Sequence, residues 1–366
     1  MNTVNFKRRA KRFFKTRIHR KPDIILPFDD QIENKEAEVV KIDWPEEVKK
    51  PRVGLIKDCK ALPYWTKYKR FLENNDFEYD FYDIHKSDWK EKGNYFDVIV
   101  WSPMTNPYEI EELRNKTYFF ENYLNKICYP SFKTLMLFDN KIMQYYLMEK
   151  YDFPHINTFI SWNYDETLKK IPELKYPLVC KTSTGAASSG VSLIKNEKDA
   201  KRTVDKIFSI YGKKMHWKSQ RQKNYVYFQD FYENEGYDLR IIVVDEKIFG
   251  FYRDVPEGDF RASGKNTVRK GKLPIEAIKV AVDVYKKLDG VMLAVDMLKG
   301  KGKNEYKIIE FSPFIRLVTA MQLIINGVPG VYYLKDDKLF FKNYVAWLQE
   351  NMLKTFFEKE YLNKIN

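Results

Sequence analysis

From Arg52 onward, short apolar runs alternate with longer segments that carry apolar residues at helical spacing. No other feature narrows the fold as much. Val53-Gly54-Leu55-Ile56, Glu78-Tyr79-Asp80-Phe81-Tyr82 and the run from Phe96 to Trp101 are too short for helices and read as strands. Tyr64–Asn74 separates the first two and Tyr108–Lys126 follows the third, both with helical spacing. Strands joined through helices imply βαβ units and a mostly parallel sheet. No glycine-rich turn follows the first strand, so the dinucleotide-binding fingerprint is missing.

The rest of the chain reads as mixed α and β. Asp139–Tyr151 is expected to be a helix with Asp139 as its N-cap. Strands are expected at His155–Ser161, Tyr176–Lys181, Val191–Ile194 and Tyr225–Tyr232, with a helix over Lys198–Tyr211. Two strand pairs follow, Asp238–Val244 with Lys247–Arg253 and Val291–Leu298 with Tyr306–Phe311, separated by a helix over Pro274–Leu288. A closing amphipathic helix is expected from Asp337 to Phe357. The fold class is therefore α/β, with four parts: a basic and extended segment over 1–50, a Rossmann-like domain over 51–135, and α+β subdomains over 136–232 and 233–366.

Composition excludes more than it selects. The 366 residues are 44% hydrophobic and 16% aromatic, enough for sizeable cores. A net charge of +13 favours anionic partners, yet no RRM, KH or zinc-finger pattern accompanies it, so nucleic acid is not expected. Cys59, Cys128 and Cys180 are few, odd in number and scattered, which argues for reduced thiols rather than disulfides or zinc. His19, His85, His155 and His216 show no metal-ligand spacing. No apolar run approaches the roughly 20 residues needed to span a bilayer, and the basic start lacks the apolar stretch of a secretory signal. A cytoplasmic location is expected. Nine of the fifteen residues from Lys7 to Lys21 are Lys or Arg, with Phe6, Ala10, Phe13, Phe14 and Ile18 at helical spacing. Residues 6–21 thus read either as a solvated helix or as a peripheral anchor for the inner, anionic face of a membrane.

Three local patterns bear on chemistry. Pro177-Leu178-Val179-Cys180-Lys181 ends a buried strand on a lysine, and a turn rich in small residues follows, including Gly185, Ser188, Ser189 and Gly190. Such a turn can close over phosphates with backbone N–H and hydroxyl donors, although its spacing is not that of a P-loop. Asp296 interrupts the apolar run Val291–Val295, and Glu310 ends the run Tyr306–Ile309. As neighbours across a hairpin, these carboxylates can converge, and they then repel unless a cation or a proton neutralises one; magnesium with phosphate oxygens fits that need, and pairing of each with a lysine is the alternative. Arg240, Arg253 and Arg261 lie on or just beyond the intervening strands, suited to bidentate recognition of phosphate or carboxylate.

The order of these pieces, from about Asp139 to Pro313, resembles the ATP-grasp superfamily, and most closely its glutamate-ligase-like branch, which includes the ribosomal-protein glutamate ligases. The resemblance implies that Lys141 and Lys181, with Gly185, Ser188, Ser189 and Gly190, bind ATP phosphates. It implies that Gln229, Asp230 and Phe231 form the hinge strand that holds adenine, with Asp230 where glutamate is usual, and that Asp238 holds the ribose. Arg240, Arg253 and Arg261 would stabilise the transferring phosphate, and Asp296, Glu310 and Ser312 would hold Mg2+. Ser263 and Ser312 each stand where the family usually has asparagine.

The family chemistry is a carboxylate–amine ligation through an acylphosphate. The acid and amine would be an amino acid, a peptide or a glycan-linked uronic acid, in polysaccharide biosynthesis for the last. No serine–histidine or cysteine–histidine nucleophile is evident. Two other outcomes remain open on this scaffold, a kinase acting on a hydroxyl and a degenerate ATP-binding module prompted by Ser263 and Ser312. The segment before Asp139 and the loop after Pro313, with Arg316, are expected to shape the substrate pockets.

Overall fold

The structure, a computed structural model, describes residues 37–58, 63–103, 106–185, 190–215, 217, 220–261, 268–317 and 319–365. The expected basic helix over 6–21, together with Cys59, Ser188, Ser189, His216 and Ser263, lies outside the described residues.

Among the described residues, three main sheets carry the fold. β1 (Val53–Leu55), β2 (Tyr79–Phe81), β3 (Val98–Val100) and β4 (Ile127–Tyr129) form a parallel sheet in the order β2-β1-β3-β4. The alternation from Arg52 thus gives the expected parallel arrangement, with helices Trp65–Asn74 and Pro107–Tyr123 as crossovers. β4 was not anticipated. It begins directly after the expected helix over Tyr108–Lys126, and three residues are too few to show a strand period.

The second sheet is antiparallel: β5 (Thr158–Ser161), β6 (Leu178–Cys180), β7 (Ser192–Ile194) and, after the short pair β8 (Lys213–Lys214) and β9 (Arg221–Gln222), β10 (Val226–Asp230). Its order is β5-β10-β6-β7. Helix Glu197–Phe208 buries Ala200, Val204 and Ile207 at spacings of four and three, and these join the core beneath β6 and β10.

The third sheet has eight strands: β11 (Asn234–Val244), β12 (Lys247–Asp254), β13 (Val268–Arg269), β14 (Met292–Gly300), β15 (Tyr306–Ser312), β16 (Leu323–Ile325), β17 (Val328–Lys335) and β18 (Lys338–Asn343). Its main path runs β15-β14-β11-β12-β17-β16, with β13 on β12 and β18 on β17. Helix Ile275–Leu288 packs on it through Ala277, Ile278, Ala281, Val284 and Leu288.

Two expectations are corrected. Residues 337–357 are not one helix: Lys338–Asn343 is a strand, and the helix spans only Leu348–Phe356 before a π-helical turn to Tyr361. Asp336 and Asp337 both adopt positive φ and form a two-residue hairpin loop closed by Lys335 opposite Lys338. The N-cap of helix Lys141–Lys150 is Asn140, whose side chain accepts from Met143 N. Asp139 adopts φ 49° and points its carboxylate elsewhere.

Candidate active site

Strand register builds a charged ladder on the third sheet. Arg253 on β12 lies opposite Asp238 on β11, Arg240 on β11 lies opposite Asp296 on β14, and Asp296 lies opposite Glu310 on β15. Asp238 and Arg240 are two residues apart, so both side chains leave the same face of β11. Arg240 donates to both Asp296 oxygens, Nε to Oδ1 and Nη2 to Oδ2, each at 2.7 Å. Arg253 donates through Nε to Asp238 and places Nη2 2.8 Å from Asp296 Oδ2. The two expected magnesium carboxylates are therefore neighbours, but Asp296 is already claimed by two arginines. Asp238, expected at a ribose, is buried and bonded to Arg253.

The lysines reach this ladder from the other side of the cleft. Lys141 begins its helix immediately after Asn140, and its Nζ lies 3.4 Å from Glu310 Oε1. Gln144, one turn on, accepts from Phe311 N and fixes that helix against β15. Lys181 follows β6 and is 8% exposed. Among the described residues no carboxylate comes within ion-pair distance of its Nζ, although Glu310 and Asp296 both act on it electrostatically. Residues more than a hundred positions apart thus meet around one cleft.

The glycine turn is anchored at both ends. Gly185 N donates to Asp139 Oδ1 at 2.7 Å, and Gly185 O accepts from Lys141 Nζ at 2.8 Å. Gly190 has φ 142°, and a Cβ there would lie 2.1 Å from Thr182 Oγ1, so only glycine fits. Asp139 escaped the sequence reading in this role. Its only signal was a position two residues before Lys141, which suits a helix cap equally well.

Burial governs the titration of the cleft. It lowers the Lys181 ammonium from 10.5 to about 8, with Glu310 opposing the shift and Lys141 adding to it. Burial also pushes the Asp238 carboxyl up to about 6, only partly offset by Arg253. For Asp296 burial acts upward too, but Arg240 and Arg253 outweigh it and hold the group well below the usual carboxylate range. Burial raises the Asp139 carboxyl, with Lys141 pulling the other way.

The remaining expected residues divide. Gln229 and Asp230 end β10, and Phe231 begins the link to β11, so the segment joins the second and third sheets. Gln229 Nε2 donates to Thr158 Oγ1, Asp230 Oδ2 accepts from Asn157 Nδ2, and Phe231 is partly exposed. Arg261 pairs bidentately with Asp259 in its own loop and has no described contact with the ladder. The Ser312 hydroxyl is turned to the backbone of Phe314, donating to its O and accepting from its N.

Comparison with known proteins identifies the family. The model of the RimK-like ATP-grasp domain matches residues 138–328. The alpha-aminoadipate–LysW ligase LysX of Saccharolobus solfataricus is 23% identical over 66% of this chain and 86% of its own. The coenzyme gamma-F420-2:alpha-L-glutamate ligase of Methanocaldococcus jannaschii is 28% identical over 60% of this chain and 69% of its own. In fold, the chain is similar to the D-alanine–D-alanine ligase of Bacillus anthracis complexed with ATP, with TM-score 0.54 and 14% identity over 86% of this chain and 99% of that one. The chain belongs to the RimK-like ATP-grasp family. It is an enzyme of the class its curated relatives represent, ligases that form carbon–nitrogen bonds.

Proposed function

We propose that this chain uses ATP to activate a carboxylate as an acylphosphate and then joins it to an amine, with release of ADP and phosphate. The observation that carries the reading is Lys181, a buried cation with no carboxylate at ion-pair distance among the described residues, set beside Lys141, Glu310 and two strand-fixed arginines. Burying an unpaired ammonium is costly, and a triphosphate is the kind of anion that would offset it.

In this reading Lys141 and Lys181 bind ATP phosphates, the turn from Gly185 to Gly190 covers them, and the link through Phe231 receives the adenine. Arg240 and Arg253, oriented by Asp296 and Asp238, stabilise charge on the phosphoryl group as it moves. A substrate carboxylate oxygen attacks the γ-phosphorus and the bond to the ADP oxygen breaks. The amine nitrogen then attacks the acyl carbon, phosphate leaves, and the nitrogen gives up a proton. Excluding water with the glycine turn protects the acylphosphate from hydrolysis. The Glu310 carboxylate suits a hard cation: it takes part in no hydrogen bond among the described residues and is one-third exposed. Magnesium held there would neutralise phosphate charge.

The amine or acid is proposed to be an amino acid or peptide, by analogy with the relatives named for alpha-aminoadipate and alpha-L-glutamate, and the cytoplasm is proposed as the place of action. A glycan uronic acid has only the basic segment 6–21 in its favour, and that segment lies outside the described residues. The boundaries near 135 and 232 are likewise proposed as the limits of the ATP-binding subdomains. A phosphate-release screen over amino-acid, peptide and uronic-acid substrates, with mass spectrometry of products, tests the proposal. Release only when acid and amine are both present, with an amide product, is expected. A phosphorylated acceptor would identify a kinase, and nucleotide binding without any turnover would identify a degenerate module.

A further inference from the structure

We infer that Glu310 is the single protein ligand of one magnesium ion, and that Asp296 is a positioning residue that pins Arg240 and Arg253. The inference rests on the ATP-dependent reading above and refines it.

Register, not side-chain chance, sets the pairing. Arg240 and Asp296 face each other across β11 and β14, and Arg253 reaches Asp296 from one strand further on. Both Asp296 oxygens are engaged: Oδ1 accepts from Arg240 Nε, Oδ2 accepts from Arg240 Nη2, and Arg253 Nη2 lies 2.8 Å from Oδ2 as an ion-pair contact without a hydrogen bond. A magnesium ion would need a carboxylate oxygen at about 2.0–2.1 Å. At Asp296 it would break a bidentate pair and bring a divalent charge against two guanidinium groups, Arg253 being almost wholly buried. Breaking such a buried pair is strongly unfavourable.

The third expected ligand is also committed, because the Ser312 hydroxyl both donates to and accepts from the Phe314 backbone. Glu310 alone among the three makes no hydrogen bond with a described residue, and it is the most exposed of the ladder's carboxylates. Lys181 supplies the independent sign of an anion here. It is more than nine-tenths buried, has no carboxylate at ion-pair distance among the described residues, and feels the charges of Glu310 and Asp296.

Lys141, Lys181, Arg240 and Arg253 face Asp139, Asp238, Asp296 and Glu310, four cations against four carboxylates, so the cleft is balanced before any phosphate enters. A site that already carries two fixed guanidinium groups needs less metal charge to neutralise a triphosphate.

Mn2+ serves as the probe, counted by the paramagnetic resonance of the free ion as it is titrated into full-length protein with an equimolar non-hydrolysable ATP analogue. One Mn2+ per complex is expected, and two would overturn the inference. Glu310→Gln should weaken Mn2+ binding by at least about tenfold, the loss typical when a metal site is disturbed. Asp296→Asn should leave Mn2+ affinity within about twofold while weakening the metal-free binding of the analogue, because the arginines lose their anchor. Equal loss of Mn2+ in both variants would make Asp296 a ligand and sink the idea. If Asp296→Asn does not fold, the count on the unaltered protein decides alone. Failure of the analogue to bind at all strikes the ATP-dependent reading itself, whereas a bound analogue with two Mn2+ strikes only this refinement.

Discussion

Lys141 Nζ donates to the carbonyl of Gly185 at 2.8 Å while lying 3.4 Å from Glu310 Oε1, so one ammonium ties the start of the glycine turn to the carboxylate edge of the third sheet. Lys141→Ala removes both links. The affinity for a non-hydrolysable ATP analogue should fall by roughly tenfold or more, as expected when a charge-assisted contact and a loop anchor are lost together. Calorimetric titration reads this directly, and unchanged affinity would remove Lys141 from the site.

Lys181→Ala and Glu310→Ala should each abolish ligation while leaving the far-ultraviolet dichroism unchanged and the thermal transition cooperative. Both residues stand at the cleft, and neither holds a described ion pair shorter than 3.4 Å. Turnover retained in both variants would refute the assignment of this cleft.

The pH behaviour of Lys181 has a definite sign. Its folded value of about 8 lies below the ordinary 10.5 because burial disfavours the ammonium. Below about pH 8 the group is charged in both folded and unfolded chains, and the folded state bears the whole burial cost. That cost fades as pH rises from 8 to 10.5. Lys181→Met should therefore raise the unfolding free energy at pH 7 by up to roughly 3 kcal/mol, with the gain shrinking above pH 8. Denaturant melts at pH 7 and pH 10 compare the two. Phosphate binding needs the ammonium, so analogue affinity should fall as pH rises above 8, and Lys181→Arg should flatten that fall.

Arg253 serves two buried carboxylates at once, Asp238 and Asp296. Arg253→Met leaves both less compensated and should cost about 3–5 kcal/mol of stability, the range for breaking a buried pair. Urea denaturation measures it. A change below 1 kcal/mol, roughly the worth of an exposed pair, would mean that water reaches the ladder.

Gly190→Ala would set a methyl group against Thr182 Oγ1 at a φ of 142°. Strain of about 1–3 kcal/mol is expected at such a residue, and the turn can relieve it only by moving. Ligation rate should fall with little change in the melting transition, whereas wild-type kinetics would show that the turn has slack.

Much of the arrangement was legible because apolar runs and their interruptions are local. Asp296 and Glu310 announce themselves by breaking apolar strands, and the hairpin between them makes their meeting a matter of counting. The pairing of Arg240 and Arg253 with Asp296 was not legible, since it depends on which strand lies beside which and in what register. The misread end of the chain has another cause. Leu339, Phe340 and Phe341 fit a helical face as well as a strand, and the deciding signal was the turn chemistry. Asn326-Gly327 and Asp336-Asp337 each supply two residues of positive φ, the signature of a tight hairpin. Reading those two dipeptides first would have yielded β16, β17 and β18.

The apolar cores are shared unequally. The parallel sheet and the eight-stranded sheet draw on one continuous core, reinforced by Tyr64 OH donating to Ile315 O and by Arg70 meeting Glu350. The sheet that carries Lys181 rests on its own cluster, from Ile171 to Phe228. The sheet bearing Lys181 thus has its apolar support apart from that of the sheet bearing Glu310 and the arginines, and the link at Phe231 joins the two. On the proposed reading a bulky charged guest lodges between two separately cored bodies, so stiffening the strap at Phe231 should slow turnover without touching a single group in the cleft.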